Sequence, residues 1–366
     1  MSKIQIETIT PVHVGSGIML QNNTDFAIVQ HGEDSDIGVI DDRKILNLIG
    51  KDNVDKWVSS IEHKESIKEF LSRFAPAANL KDYSKRIIAN YGDIKTNDTL
   101  KECIHDGLGI PYIPGSSIKG AIRTAIVATL APKLQKVNVG NGNRLSAKYV
   151  EQDLFGRNVN EDLFRFIQVG DAYFEKNIEI ATRLVNINIR SNNDYWDESK
   201  SQMIEAISSE QSTTFQLKIL SDYYEWVKTQ TNDKFSLKNL EEEMSSIYNL
   251  FNTINQHTQK LIEEEIEFWD DYKEEDSVTD YIERMNEILK ETNNCTYGKS
   301  CILRIGHTSG WRFITGAWTE KLDNFETEII PASRRNNQNY EEYPFPKSRR
   351  IDEYGDLLGF VKLSVV

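Results

Sequence analysis

Cysteine, proline and long apolar runs are all scarce in this chain of 366 residues. The three cysteines, Cys103, Cys295 and Cys301, are few and odd in number, which argues against a disulfide framework and against a cysteine-rich zinc site. Eight prolines and 20 glycines leave no room for a collagen-like or low-complexity architecture. No apolar run reaches the roughly 18 residues that a membrane span requires. The opening MSKIQIETIT lacks the basic-then-apolar layout of a secretory signal, so a soluble, cytoplasmic protein without a membrane partner is expected. HExxH, CxxC and GxSxG are absent, and the six histidines never fall at metal-ligand spacing. Gly298-Lys299-Ser300 resembles the end of a P-loop, but the first glycine of that motif would fall at Asn293. No catalytic motif, metal or cofactor is expected.

What is present suits a folded chain. With 39% hydrophobic residues and 10% aromatics, the length fits two domains or one elaborated domain. Lys and Arg number 43 against 57 Asp and Glu, for a net charge of −14, and a uniformly negative field would repel phosphates. The charge is not uniform. From 111 to 157 there are seven basic residues and two acidic; from 233 to 293 there are 17 acidic and six basic. Local charge decides what each face can bind.

Periodicity gives an α+β layout. Ile4 and Ile6 alternate with Gln5 and Glu7 as in a half-buried strand, and strands are also expected at 26–29, 37–40, 164–174, 178–189, 213–220, 302–305 and 357–366. Helices are expected over 54–74, 117–130 and 146–155, and a long acidic helical insert over 237–292. Residues 75–110 give no clear pattern. The expected organisation is an N-terminal domain over 1–190, a strand plus acidic helical insert over 191–295, and a C-terminal segment over 296–366. The runs Glu241-Glu242-Glu243 and Glu263-Glu264-Glu265 read as the wet face of the insert.

Four stretches could carry chemistry. In PYIPGSSIKGAIRTAIVAT, starting at Pro111, Gly115 frees the backbone and Ser116 or Ser117 can cap the following helix. Lys119 and Arg123 then share one face near a helix start, where amide groups and a positive dipole end suit a phosphate. An ordinary capped helix with an exposed lysine fits equally. In TPVHVGSG, His13 precedes the turn Gly15-Ser16-Gly17, whose backbone could approach a ligand closely, or which is a plain loop with a packed histidine. In RIGHTSGWRFITG, Gly306, Ser309, Gly310 and Arg312 beside Trp311 could clamp a sugar-phosphate chain or stack a base; the alternative is a hairpin whose aromatics enter the core. Last come Ser333-Arg334-Arg335-Asn336-Asn337 and Pro344-Phe345-Pro346-Lys347-Ser348-Arg349-Arg350, where Lys347, Arg349 and Arg350 lie among Tyr340, Tyr343 and Phe345, a composition suited to RNA or to a solvated loop. RNA cleavage by His13 or His307, or a metal recruited by Asp25, is the minority alternative to binding, since no pair has acid–base spacing.

TPVHVGSG, YIPGSSIKGAIR and FPKSRR, in that order along the chain, resemble the RAMP proteins of CRISPR effector complexes, and among them the fifth Csm subunit of type III-A complexes. The resemblance implies a modified RRM-like (ferredoxin-like) fold with inserted helices. It implies a non-catalytic subunit that binds the guide RNA (crRNA), caps the complex at the guide 3′ end, packs on the repeated backbone RAMP subunit beside target RNA, and supports guide maturation with host nucleases. Carried onto this chain, Gly115 to Lys119 and Arg123 fall on the family's phosphate-contacting loop and helix, His13 to Gly17 on its first-strand turn, and Gly306 to Gly310 on its glycine-rich loop. The backbone paralogue cuts target RNA with an aspartate after the first strand; Asp25 lies in that neighbourhood without a residue-by-residue match. The long acidic insert departs from a minimal RAMP pattern. One groove is expected to gather Lys119, the 306–310 turn and Arg349, with the carboxylate-rich helices facing elsewhere.

Overall fold

The computed structural model describes residues 2–95, 97–134, 139, 146–230, 237–314, 316–333 and 345–366. Lys136, Arg144 and the 334–344 part of the C-terminal basic stretch lie outside the described residues.

In chain order the strands are β1 (Ser2–Thr8), β2 (Gly15–Gln21), β3 (Phe26–His31), β4 (Asp34–Ile40), β5 (Ser84–Asn90), β6 (Thr99–Cys103), β7 (Tyr112–Ile113), β8 (Ile167–Val169), β9 (Ala172–Tyr173), β10 (Glu179–Asn188), β11 (Trp196–Ile207), β12 (Ser212–Ile219), β13 (Ser300–Arg304), β14 (Ser348–Asp352) and β15 (Phe360–Val365). The helices are α1 (Asp42–Ile49), α2 (Val54–Glu62), α3 (Ile67–Phe74), α4 (Leu80–Tyr83), α5 (Gly115–Leu130), α6 (Lys148–Phe155), α7 (Ser221–Gln230), α8 (Glu242–Ser245), α9 (Ile247–Asp270) and α10 (Asp276–Asn293). No helix among the described residues is long and apolar enough to cross a membrane.

The alternation read in the first residues puts Ile4, Ile6 and Thr8 fully inside and leaves Lys3 and Glu7 exposed. Both edges of β1 are paired, with Ile4 opposite Phe215 of β12 and opposite Val365 of β15, so the two ends of the chain meet in one antiparallel sheet ordered β13-β15-β1-β12-β8. Within it the succession β1–α5–β8–β12–α9–β15 is a βαββαβ unit with strand order fourth-first-third-second, the ferredoxin-like arrangement. Ile118, Ile122 and Ala125 of α5 and Leu250, Phe251 and Ile254 of α9 share one apolar cluster with Ile4, Ile6, Leu217 and Leu363. The α+β class and ferredoxin-like core expected from sequence are the ones present.

A second sheet, ordered β2-β6-β11-β10-β5-β4-β3 with β14 also on β10, is built from segments inserted into that unit. The single helix expected over 54–74 is two, α2 and α3, because Lys64 takes φ of +52° between them. Strand pairing crosses the expected segment boundaries: β10 runs antiparallel to β11 across 190/191, and β1 joins β12 and β15. The acidic helices are no separate body either. Ile262, Trp269, Tyr281 and Met285 pack with Val185, Ile187, Ile302 and Ile351 of β10, β13 and β14. Glu265, read as part of a wet face, is fully buried.

Candidate nucleic-acid interface

The glycine-rich loop that follows β13 faces the chain entering β14 across a cleft of about 690 Å³. Gly306, His307, Ser309, Gly310 and Trp311 form one wall, Phe345 to Ser348 and Arg350 the other, and Asn186, Asn188, Asp197 and Lys200 of β10 and β11 the floor. The period of a strand explains which cations reach it. Arg350 lies opposite Asn186 and Ser348 opposite Asn188, all on the cleft face, whereas Arg349 and Ile351 project to the other face of the sheet.

Gly306 is required where it stands. Its φ is +90°, and a Cβ there would lie 2.4 Å from the backbone oxygen of His13. His307 N–H donates to that same oxygen at 3.1 Å, fastening the loop to the chain that follows β1. The imidazole Nε2 of His307 accepts from Lys101 Nζ at 3.1 Å and from Arg350 Nη1 at 2.5 Å. Burial first, then Arg350 and Lys101, push His307 down to about 4, so the ring is neutral and available as an acceptor. Among the described residues neither Lys101 nor Arg350 has a carboxylate within ion-pair distance. Two cations without a counter-anion at a glycine loop form a site that an anion would complete.

His13 lies behind this cluster, its ring edge-on to His307 at 6.0 Å between centroids. It is fully buried, its Nδ1 donating to the Glu205 carbonyl at 2.5 Å, and burial holds it down to about 4. The two histidines, each a candidate base for RNA cleavage in the minority alternative, sit side by side, one shielded and the other with its Nε2 taken by two cationic donors. Asp25 accepts from Gln21 N–H at 2.7 Å within the β2–β3 turn.

Several residues expected at the groove have other roles. Arg349 is buried, binding both Glu265 oxygens at 2.5 and 2.8 Å. Arg312 is buried too, paired with Glu265 at 2.9 Å and Glu320 at 2.8 Å. Arg123 lies over the rings of Phe155 and Phe164 at 4.7 and 4.8 Å and pairs with Glu151 and Asp162. Composition cannot tell which side of an element a cation occupies, and these three face inward. Ser116 and Ser117 do not cap α5; Asp171 accepts from Gly115 N–H at 2.7 Å, so a carboxylate already meets the helix start. The glycine at 115 answers to packing, because a Cβ would lie 2.3 Å from the Val169 carbonyl. Ser16 donates to Glu102 at 2.9 Å, while Gly17 is exposed with φ of +91°.

The structure thus brings Gly306, Ser309, Gly310, Lys347 and Arg350 to one cleft, with His13 and Gly15 behind it. Lys119 is half-buried near Asp162 and Arg123, and no residue of 115–123 lines the cleft. Lys101, Asn186, Asp197 and Lys200 went unrecognised in the sequence. The one cluster of metal-ligand type among the described residues, His105, Glu179 and Glu205, is internally satisfied: Arg86 binds both Glu205 oxygens, and His105 pairs with Glu179 at 2.7 Å.

A family model for the RAMP superfamily matches residues 5–313. The chain is similar to the "CRISPR system Cms protein Csm5" of Methanocaldococcus jannaschii, 24% identical over 271 residues, which are 69% of this chain and 61% of that protein, less than two thirds of its length. It shares its fold with a chain in the cryo-EM structure of a Csm–crRNA–target RNA ternary complex of a type III-A CRISPR-Cas system, at a TM-score of 0.69 and 17% identity over all of both chains. The crystal structure of T. onnurineus Csm5 is similar at a TM-score of 0.67 and 16% identity, over 99% of this chain and 100% of that one. With a ferredoxin-like core and a family match over most of its length, the chain belongs to the RAMP superfamily.

Proposed function

We propose that this chain is a Csm5-like, non-catalytic subunit of a type III-A CRISPR effector complex, which binds the guide RNA and caps the backbone filament at the guide 3′ end. Its partners are then crRNA, target RNA and other Csm subunits, above all the repeated backbone RAMP subunit, and its capping supports guide maturation. The observation that carries the reading is the meeting of Arg350 with the 306–310 loop in one cleft, where Arg350 and Lys101 both bond the His307 ring. On a chain of net charge −14, Lys101 and Arg350, which have no carboxylate within ion-pair distance among the described residues, have to attract RNA locally, since the overall field repels it. The shared fold with a subunit of a Csm–crRNA–target RNA complex supports the same reading.

Lys101→Ala and Arg350→Ala are expected to weaken guide RNA binding similarly whatever the sequence, each lowering the salt slope by roughly one unit, as lost phosphate contacts do. Unchanged affinity and slope in the folded double variant overturn the proposal.

A further inference from the structure

A sequence-neutral track for an RNA backbone needs cations and amides. This cleft contains two things such a track does not use. One is an aromatic wall: Trp311 is half-exposed and lines the cleft, held edge-on against Phe345 at 4.9 Å between centroids. The other is a carboxylate on the floor. Asp197 is opposite Asn186, which is opposite Arg350, and with strands about 4.8 Å apart Asp197 sits roughly 10 Å across the sheet from the cationic corner. Hydrogen bonds from Ser199 and from the Asn188 amide at 2.8 Å hold Asp197 below the usual carboxylate range, so it stays ionised. With Lys200 also on the floor, the charge there is mixed, without the unopposed positive charge of the Arg350 corner. A nucleobase edge bearing N–H donors would be attracted, and the Asn186 carboxamide beside it has no side-chain partner among the described residues.

We propose that the cleft is a pocket for one unstacked nucleotide: its phosphate lies at Arg350 and Lys101, its base against Trp311, and the donor-bearing edge of that base toward Asp197 and Asn186. The inference rests on the guide-RNA reading and adds to it a single position where base identity counts. The volume of about 690 Å³ is within the range of small-ligand pockets.

The test uses the full chain and a guide-like oligoribonucleotide in which an abasic nucleotide replaces each position in turn. One position is expected to lose about 5- to 150-fold in affinity, the range of one base–aromatic stack. Trp311→Ala should flatten the scan, and Asp197→Asn should change which base is preferred at that position while leaving the salt slope unaltered. If Trp311→Ala fails to fold, the scan on the unsubstituted chain still decides. A flat scan with tight, salt-dependent binding overturns the pocket and leaves the guide-binding reading intact. Absence of any RNA binding overturns both.

Discussion

Arg349, from the basic run that enters β14, is bound through Nε and Nη2 to both carboxylate oxygens of Glu265, from the acidic helical insert. Eighty-four positions separate them, and the pair is buried between the guanidinium of Arg312, the phenol of Tyr281 and the rings of Phe268 and Trp269. Charges kept apart along the sequence are thus joined in space, and this junction fixes the acidic helices to β14, the strand that also supplies the cleft with Arg350.

Neighbouring arginines on β14 are therefore expected to behave oppositely. Arg349→Ala leaves Glu265, among the described residues, with Arg312 and Tyr281 and should cost about 3 kcal/mol in urea unfolding, because a buried carboxylate loses its bidentate partner. The folded fraction should keep its affinity for RNA. Arg350→Ala should cost less than about 1 kcal/mol of stability and lower RNA affinity.

How much of this was legible follows from where periodicity survives. β1, α5, α9 and β15 carry clean alternation or helical spacing because one face of each is apolar, and they form the ferredoxin-like core. β11 escaped notice because its first half, Trp196 to Gln202, is polar and half exposed as the floor of the cleft. β14 escaped because Arg349 occupies the core face, where an apolar residue would have marked the alternation. The glycines at 306 and 310 with Lys347 and Arg350 were readable as a ligand-binding pattern. The inward placement of Arg123, Arg312 and Arg349 is not legible in the sequence, because their carboxylate partners lie up to 84 residues away.

The glycine loop gives a second contrast. Gly306→Ala meets both a left-handed φ and a backbone oxygen at 2.4 Å, whereas Gly310→Ala, at φ of +72°, meets no atom within 4 Å. The first should cost more than about 3 kcal/mol and detach the loop from His13; the second should cost about 1 kcal/mol. Thermal unfolding and RNA affinity measured on both variants check the difference.

His13 supplies a pH dependence whose sign can be worked out. Its folded value, about 4, lies below the ordinary value of 6.5, so between those pH values the unfolded chain binds the extra proton and the folded chain does not. Stability contributed by the neutral, buried ring is present above about 6.5 and is lost as pH falls toward 4. His13→Asn should remove up to about 1.4 kcal/mol per pH unit of slope in that window, read from urea unfolding at several pH values. His257 and His307, also pushed down to about 4, should keep the remaining slope alive.

Arg123 and Lys119 share a helix face and should nonetheless separate experimentally. Arg123 bridges α5 and α6 through Glu151, reaches Asp162, and lies over two phenyl rings that meet edge-on, so Arg123→Ala strands two carboxylates and uncovers both rings. A loss of about 2 kcal/mol in stability with an unchanged salt slope for RNA is the expected outcome. Burial depresses the Lys119 ammonium, and the nearby charge of Asp162 supports it without an ion pair within 4 Å among the described residues. Lys119→Ala should leave stability within about 0.5 kcal/mol. If the strand continues from the cleft toward α5, that variant alone should lower the salt slope by about one unit; equal slopes for both variants and the unsubstituted chain would confine the RNA contact to the cleft.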